Sequence, residues 1–490
     1  MDGPGRTSQT VLVVLVSGRG VSMMSNRIKQ SLLVTCVCLA AGRGVAAETK
    51  PNFVFMLTDD QRWDALGVVQ REQGDKGRFP WLKTPNLDKL AAEGVRFRNA
   101  FVVNSLCAPS RASFLTGTYG HHNGIRNNGT PFPADSITYA SVLRSAGYTT
   151  GYVGKWHMDQ QRGQRPGFDY SASFIGQGRY RDCPFEVNGK QTETTGWVDD
   201  VSTDYAIQFL NENRGKPFVL ALGFKTCHGP FSPPPRRASD YEGAKARPVP
   251  NLGSAAPYRK ETGPEGRVGA SFAGDGSPKL LDYMRCITAM DENVGRVMAE
   301  LDRLGAADNT VVVFAGDNGY YLREHGLGDK RTAYEESLRI PLLVRWPGRA
   351  AKGKLVDQMV LNIDLAPTIL ELAGVPVPAQ MQGRSWRPLL EGKTVPWRRS
   401  FYYEYFFEAP FASPHVQAVR TERGKLIRYP GHPEWSELFD LAADPYETKN
   451  LINDPAKADL HRELEAEFQR ERQKVEGGDP TTSRPAASTR

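Results

Sequence analysis

The sequence predicts an α/β protein: a large, mostly parallel sheet sandwiched by helices, then a smaller antiparallel sheet with one helix. Three observations predict it. From residue 51, short apolar runs alternate with helical patterns, as in strand–helix–strand units whose sheet is covered on both faces. Polar residues gather where those runs end, which is where open α/β sheets bind ligands. Near residue 396 the alternation gives way to short strand-like runs separated by turn residues.

Residues 52–57 (NFVFML) read as a buried strand ending at Thr58-Asp59-Asp60. Thr84-Pro85 opens a helix with Leu87, Leu90 and Ala91 on one face, and Gly94 closes it. Residues 136–145 form another helix, stopped by Gly147, and 148–153 the strand after it. Residues 217–223 (PFVLALG) are a buried strand. A long helix covers 278–304, with Leu281, Met284, Ile287, Val294, Val297 and Leu301 near helical spacing, and Gly305 ends it. Strands follow at 310–314 (TVVVF) and 340–344. Beyond 396, strands at 401–407, 416–420, 425–429 and 437–441 make the small antiparallel sheet, with a helix at 455–476 packed on it. The domain reading is therefore a leader at 1–47, an α/β domain at 48–395, an α+β subdomain at 396–476 and a disordered tail at 477–490, which lacks apolar content. The Gly/Pro/Arg-rich stretch 229–276 reads as a long loop.

A chain of 490 residues with 40% hydrophobic and 24% charged residues is globular in composition. Its net charge of +7 is distorted by the first 47 residues, which hold Arg6, Arg19, Arg27, Lys29 and Arg43 against Asp2. The remainder carries 57 basic and 54 acidic residues, a balance that offers nucleic acid no electrostatic footprint. Met24 starts a better leader: Arg27 and Lys29, an apolar run from Leu32 to Ala41, then Val45-Ala46-Ala47. That is the pattern of a secretory signal, so the chain reads as exported, periplasmic or secreted. The run is shorter than the roughly 20 residues of a membrane-spanning helix, so the mature chain is expected to have no transmembrane segment. Residues 1–23 read as an over-extended start, and a disordered tail is the alternative. Cys36 is a poor lipid-anchor site, because Thr35 stands where a smaller residue is expected. Cys36 and Cys38 fall in the leader. Cys107, Cys183, Cys227 and Cys286 remain, which is no dense disulfide framework, although one bridge from Cys183 to a later cysteine is allowed.

Asp59 and Asp60 follow the first strand; Asp317 and Asn318 follow the TVVVF strand. Adjacent aspartates are costly to bury unpaired, and a hard divalent cation resolves the cost with Asp and Asn oxygens. Separate turn or helix-capping roles are the plain alternative. Cys107-Ala108-Pro109-Ser110-Arg111 places a cysteine before a helix start, where a low-pKa thiolate is one reading, with His157 or His228 as its base.

Cys107-Ala108-Pro109-Ser110-Arg111 followed by Leu115-Thr116-Gly117 resembles the signature of the type I, formylglycine-dependent sulfatases. Further family-like motifs stand in order: Thr58-Asp59-Asp60, Gly154-Lys155-Trp156-His157, His228-Gly229-Pro230-Phe231, Asp317-Asn318-Gly319, Gly328-Asp329-Lys330, Tyr334-Glu335-Glu336, and Glu437 to Leu441 with Asp444-Pro445. The resemblance covers residues 50–460 and implies an alkaline-phosphatase-like fold. It also implies one Ca²⁺ held by Asp59, Asp60, Asp317, Asn318 and modified Cys107. Cys107 would be oxidised to formylglycine by a formylglycine-generating enzyme. A hydroxyl of its hydrated aldehyde, acidified by Ca²⁺ and Arg111, would attack sulfur, with Asp317 as proton acceptor. Lys155 and Lys330 would hold the sulfate oxygens. His228, with Lys330, would protonate the leaving alcohol, and His157 would deprotonate the second hydroxyl to expel sulfate.

The motif combination is most similar to bacterial N-acetylglucosamine-6-sulfatases, implying a sulfated carbohydrate such as the glucosamine 6-O-sulfate of glycosaminoglycan. A phosphomonoester or phosphonate hydrolase of the same fold and a non-catalytic sulfated-glycan binder are the rivals. Among the remaining candidates, His325 reads as mainly structural, His121 and His122 as possible pocket borders, and His415 as a possible entrant from the second sheet. Aromatic residues at 401–407 read as sugar-stacking or as a buried strand.

Overall fold

The computed structural model describes residues 50–259 and 276–477. The leader, including Cys36 and Cys38, and nearly all of the C-terminal tail lie outside these residues. So does 260–275 of the expected long loop; its described part, 229–259, holds two short 3-10 turns.

A ten-stranded sheet runs in the order β11 (Lys354–Val356), β2 (Val95–Phe97), β10 (Leu342–Arg345), β9 (Thr310–Gly316), β1 (Asn52–Thr58), β8 (Phe218–Gly223), β4 (Thr149–Lys155), β5 (Tyr170–Phe174), β6 (Phe185–Val187) and β7 (Lys190–Thr192). The five strands from β9 to β5 are parallel, whereas β10, β6 and β7 add antiparallel pairs. A short pair, β3 (Ala100–Phe101) and β12 (Val360–Leu361), stands apart.

Strand alternation divides the core. In β1, Phe53, Phe55 and Leu57 face one layer and Val54 and Met56 the other; in β9, Val311 and Val313 oppose Val312 and Phe314. Helices 85–93, 198–212 and 278–303 cover the second face through Leu87, Phe209, Met284 and Ile287. Helices 107–116, 139–145 and 365–372 cover the first through Phe114, Leu143 and Ile369. Burying both faces explains why the central strands read as continuous apolar runs.

A four-stranded antiparallel sheet follows: β13 (Ser400–Tyr405), β14 (Val416–Thr421), β15 (Gly424–Arg428) and β16 (Glu437–Asp440). The helix Ala458–Glu476 packs on it through Leu460, Leu464 and Phe468. Phe401 faces the other way, 5.1 Å from Phe101, while Tyr402 meets Phe468.

Several boundaries differ from expectation for local reasons. The helix expected from 136 begins at Tyr139, because Thr138 caps it: the Ser141 N–H donates to Thr138 Oγ1 at 3.0 Å and the Thr138 N–H to Ser141 Oγ at 2.9 Å. Strand β13 stops at Tyr405, which leaves Phe406 and Phe407 in a loop. All four cysteines of the described chain are free and buried, so the bridge allowed for Cys183 does not form among the described residues.

Candidate active site

Parallel register brings the motifs together. Thr58 pairs with Gly316, so Asp59 and Asp317 emerge beside one another from β1 and β9. The Asp317 N–H donates to Thr58 O at 2.9 Å, and the Asp59 N–H to Thr226 O at 2.7 Å, which clips both aspartates past their strand ends. Lys155 is the last residue of β4. Gly154 before it has φ +85°, and a Cβ there would lie 2.0 Å from the Gly223 carbonyl oxygen, so only glycine lets β4 approach β8 this closely.

Cys107 is the first residue of helix 107–116, every residue of which is buried. The helix N-terminus directs unsatisfied amides and a partial positive charge at this corner, favouring negative charge there. The Ala108 N–H donates to Asn128 Oδ1 at 3.0 Å. Asp59 Oδ1 and Lys330 Nζ each lie 3.4 Å from Cys107 Sγ. Lys330 also bonds Asp60, and Lys155 bonds Asp59. Arg111 donates from Nε to Asp317 Oδ2 at 2.9 Å and from Nη1 to the Lys155 carbonyl at 2.8 Å. His228 Nε2 stands 3.9 Å from Asp60 Oδ2, with Nδ1 2.7 Å from the Gly229 carbonyl. His157, at φ 51°, is buried, and its Nδ1 has no hydrogen-bond partner among the described residues. The residues expected at the site are therefore gathered at the carboxyl ends of the central strands.

The donor set fits a hard cation. Oxygens of Asp59, Asp60 and Asp317 lie within 4.8 Å of one another. Asn318 Nδ2 donates to Asp60 Oδ1 at 2.6 Å, while Asn318 Oδ1 is buried with no partner among the described residues. An oxygen so placed is a fourth hard donor, and an all-oxygen set favours Ca²⁺ or Mg²⁺ over softer metals.

The electrostatics follow from burial and crowding. Burial works against charge on Asp59, but Lys155, His228, Arg111 and Lys330 together hold it well below the usual carboxylate range. Burial raises Asp60, with Lys330 opposing and the Asp59 charge assisting. Burial and the Asp59 charge push Asp317 up to about 7. Burial and Asp59 push the Cys107 thiol up to about 12, which argues against the thiolate-hydrolase reading. Burial and the Lys155 charge hold both His157 and His228 well below the ordinary histidine range.

Sequence motifs missed several supporting residues. Gln177 accepts from Lys155 Nζ at 2.6 Å, and its carbonyl accepts from Lys225 Nζ at 2.9 Å. The Tyr283 hydroxyl donates to the Asp60 carbonyl at 2.7 Å. Asn128 reaches the helix that begins at Cys107 from a loop 20 residues further along the chain. None belongs to a local pattern; only Tyr283, on the helical face already read as apolar, carried any periodic signal.

The other histidines are held elsewhere. His325 stacks on Tyr334 with centroids 3.9 Å apart and its Nε2 is 3.5 Å from Glu336. His121 and His122 meet the Val475 carbonyl, at 3.1 and 2.9 Å, and His415 lies 3.3 Å from Glu404.

A wide parallel sheet with carboxylates, an amide and two lysines around a helix-terminal side chain defines a hydrolase of the alkaline-phosphatase-like class. The sulfatase family matches residues 51–375, and the N-sulphoglucosamine sulphohydrolase C-terminal family matches 323–474. The chain belongs to the sulfatase family and is a sulfuric ester hydrolase. It is similar to the N-acetylglucosamine-6-O-sulfatase of Bacteroides thetaiotaomicron, at 33% identity over 88% of each chain. It is 30% identical to a multifunctional alkaline phosphatase superfamily protein of Trinickia caryophylli, over 85% of this chain and 94% of that one. A solved structure of a protein in complex with its substrate D-glucosamine-2-N,6-O-disulfate superposes with a TM-score of 0.79 at 30% identity, covering 88% of this chain and 99% of that one. No helix among the described residues is long and apolar enough to cross a membrane.

Proposed function

We propose that this enzyme hydrolyses the O-sulfate ester of a glucosamine-type sugar in sulfated polysaccharide, after Cys107 has been oxidised to formylglycine. The observation that carries the reading is the packing of Asp59 and Lys330 at 3.4 Å around Cys107 Sγ, beside an unpartnered Asn318 oxygen. Similarity to the glucosamine-sulfate enzymes named above supports the substrate class. The leader pattern supports export, where such polysaccharides lie.

Asp59, Asp60, Asp317 and Asn318, with the residue at 107, would hold Ca²⁺, which supplies positive charge to acidify a hydroxyl and offset charge on the sulfate. The hydrated aldehyde supplies two hydroxyls, one to attack sulfur and one to expel the sulfate. Lys155 and Lys330 flank the position of Cys107 and neutralise the sulfate oxygens. Arg111 fixes the Asp317 carboxylate, the proton acceptor in this reading, by contact at 2.9 Å. His228 engages the Gly229 carbonyl through Nδ1, leaving Nε2 on the Asp60 side to exchange a proton with the leaving oxygen. Burial and the Lys155 charge lower the His228 pKa, and the anionic substrate opposes that shift and favours the protonated ring that donates to the leaving oxygen. His157, neutral and unpartnered at Nδ1, is suited to accept a proton in the second half of the cycle.

The test is a panel of sulfated glucosamines, sulfated galactosamines, aryl sulfate and phosphate or phosphonate esters, with the mass of the Cys107 peptide measured alongside. Release of 6-O-sulfate from glucosamine by the converted enzyme, and its loss in Cys107→Ala, are expected. Preference for phosphorus esters would favour the phosphonate-hydrolase rival, and sugar binding without turnover would favour the glycan-binder.

A further inference from the structure

Five large apolar side chains are exposed among the described residues: Ile137, Leu355, Val377, Phe407 and Phe411. Two of them, Phe407 at 58% and Phe411 at 40%, share the ten-residue loop 406–415 between β13 and β14. That loop is moored to the catalytic centre at two points by one side chain. Glu408 accepts the Asn128 N–H at 2.8 Å through Oε1 and Arg331 Nη2 at 3.3 Å through Oε2. Asn128 in turn receives the Ala108 N–H beside the nucleophile, and Arg331 follows Lys330 in the chain. The Arg331 guanidinium lies over the Phe411 ring at 3.5 Å. Two residues before Asn128, the exposed Arg126 lies over Phe406 at 5.1 Å. Arg126 meets no carboxylate among the described residues.

Arg126, with no carboxylate partner among the described residues, stands over Phe406, which the exposed Phe407 follows in the chain, and an exposed ring close to such a guanidinium matches one ligand chemistry. The C–H faces of a pyranose stack on aromatic rings, and the sulfate or carboxylate of a glycosaminoglycan unit pairs with arginine. We propose that Phe407, Phe411 and Arg126 form a subsite for the sugar unit adjoining the one that carries the scissile sulfate, so that the enzyme distinguishes a chain from a single sugar. This rests on the sugar-sulfate reading above. It also separates the aromatic cluster by role: Phe401 to Tyr405 are buried in β13, and only the residues beyond the strand end face solvent.

The experiment compares kcat/KM for glucosamine 6-sulfate and for a sulfated heparin-type oligosaccharide ending in the same unit, in wild type, Phe407→Ala, Arg126→Ala and Val377→Ala. Phe407 and Arg126 are exposed, so neither substitution disturbs the core. The expected result is a wild-type preference for the oligosaccharide. Phe407→Ala should cut that preference by about tenfold, the upper size of one stacking contact. Arg126→Ala should cut it similarly and flatten its dependence on salt, while Val377→Ala leaves it at the wild-type value. An unchanged ratio in both loop-side variants overturns the subsite but leaves the substrate reading intact. Equal losses on both substrates also overturn it. A wild type that cleaves aryl sulfate but neither sugar overturns the substrate reading, and the subsite with it.

Discussion

Arg111 and Asp317 meet at 2.9 Å in a place where both side chains are essentially shielded from water. The contact ties the helix that begins at Cys107 to the end of the central strand β9, so one planar guanidinium joins that helix to a candidate metal ligand.

Arg111→Lys should keep the charge and lose the fork that reaches both Asp317 and the Lys155 carbonyl. We expect kcat/KM to fall about 10²- to 10³-fold, in the range of a lost transition-state donor. Arg111→Ala leaves Asp317 buried without its partner and should also cost about 3–5 kcal/mol of stability. Equilibrium unfolding beside steady-state kinetics checks both.

Chelation should abolish turnover, and Ca²⁺ should restore it where Zn²⁺ does not, as expected for oxygen donors. Ca²⁺ should also raise the melting temperature, since only the folded chain gathers these four residues. If Asn318→Ala weakens the site tenfold, about 1.4 kcal/mol of that stabilisation disappears at saturating metal. Calorimetry at several Ca²⁺ concentrations reads the effect, and a melting temperature indifferent to Ca²⁺ in the wild type would contradict it.

The two site histidines should separate by leaving group. A leaving oxygen of low pKa needs little protonation, so His228→Ala should be partly rescued on an aryl sulfate. His157→Ala should accumulate sulfated enzyme on aryl and sugar substrates alike. Single-turnover kinetics with intact mass of the quenched enzyme distinguish them; equal losses on both substrates without an adduct would refute the division.

Away from the site, Glu324 sits buried against Arg62 and Arg78. Burial disfavours its charge, but the two arginines prevail and bring its pKa down to about 2. A depressed carboxylate contributes its full stabilisation above the unfolded value near 4.5 and loses it as pH falls toward 2. That contribution is on the order of 3 kcal/mol. Glu324→Gln should therefore lower stability at pH 7 and flatten its decline between pH 5 and pH 2, as measured by urea unfolding across that range.

Most candidate site residues are visible in the sequence because they lie in short contiguous motifs at strand ends, as Asp59, Lys155 and Asp317 do, or at a helix start, as Cys107 does. Asp59, Lys155, His228 and Asp317 needed only the parallel register to meet. What supports them was hidden. Gln177, Asn128 and Glu408 act over long sequence separations, with no periodicity and no motif of their own. The outer strands β2, β5, β6, β7 and β11 carry little sequence signal because they are short and only partly apolar, and β10 reads the same whether it runs parallel or antiparallel. Phe406 and Phe407 continue the aromatic run of β13 in sequence but leave the strand in space, since composition alone does not mark where pairing stops.

Cys107 is fully enclosed, and so is every residue of the helix it begins. An enzyme that oxidises this side chain must grip the surrounding peptide, and the native chain offers it nothing to grip. On the proposed reading, in which Cys107 is oxidised, conversion comes while the segment is still extended, and folding then seals the product in. Unconverted protein that has folded should stay inactive when the converting enzyme is supplied later, whereas unfolding and refolding in its presence should recover turnover. On that reading modification races folding, and the yield of active enzyme depends on how slowly helix 107–116 is buried.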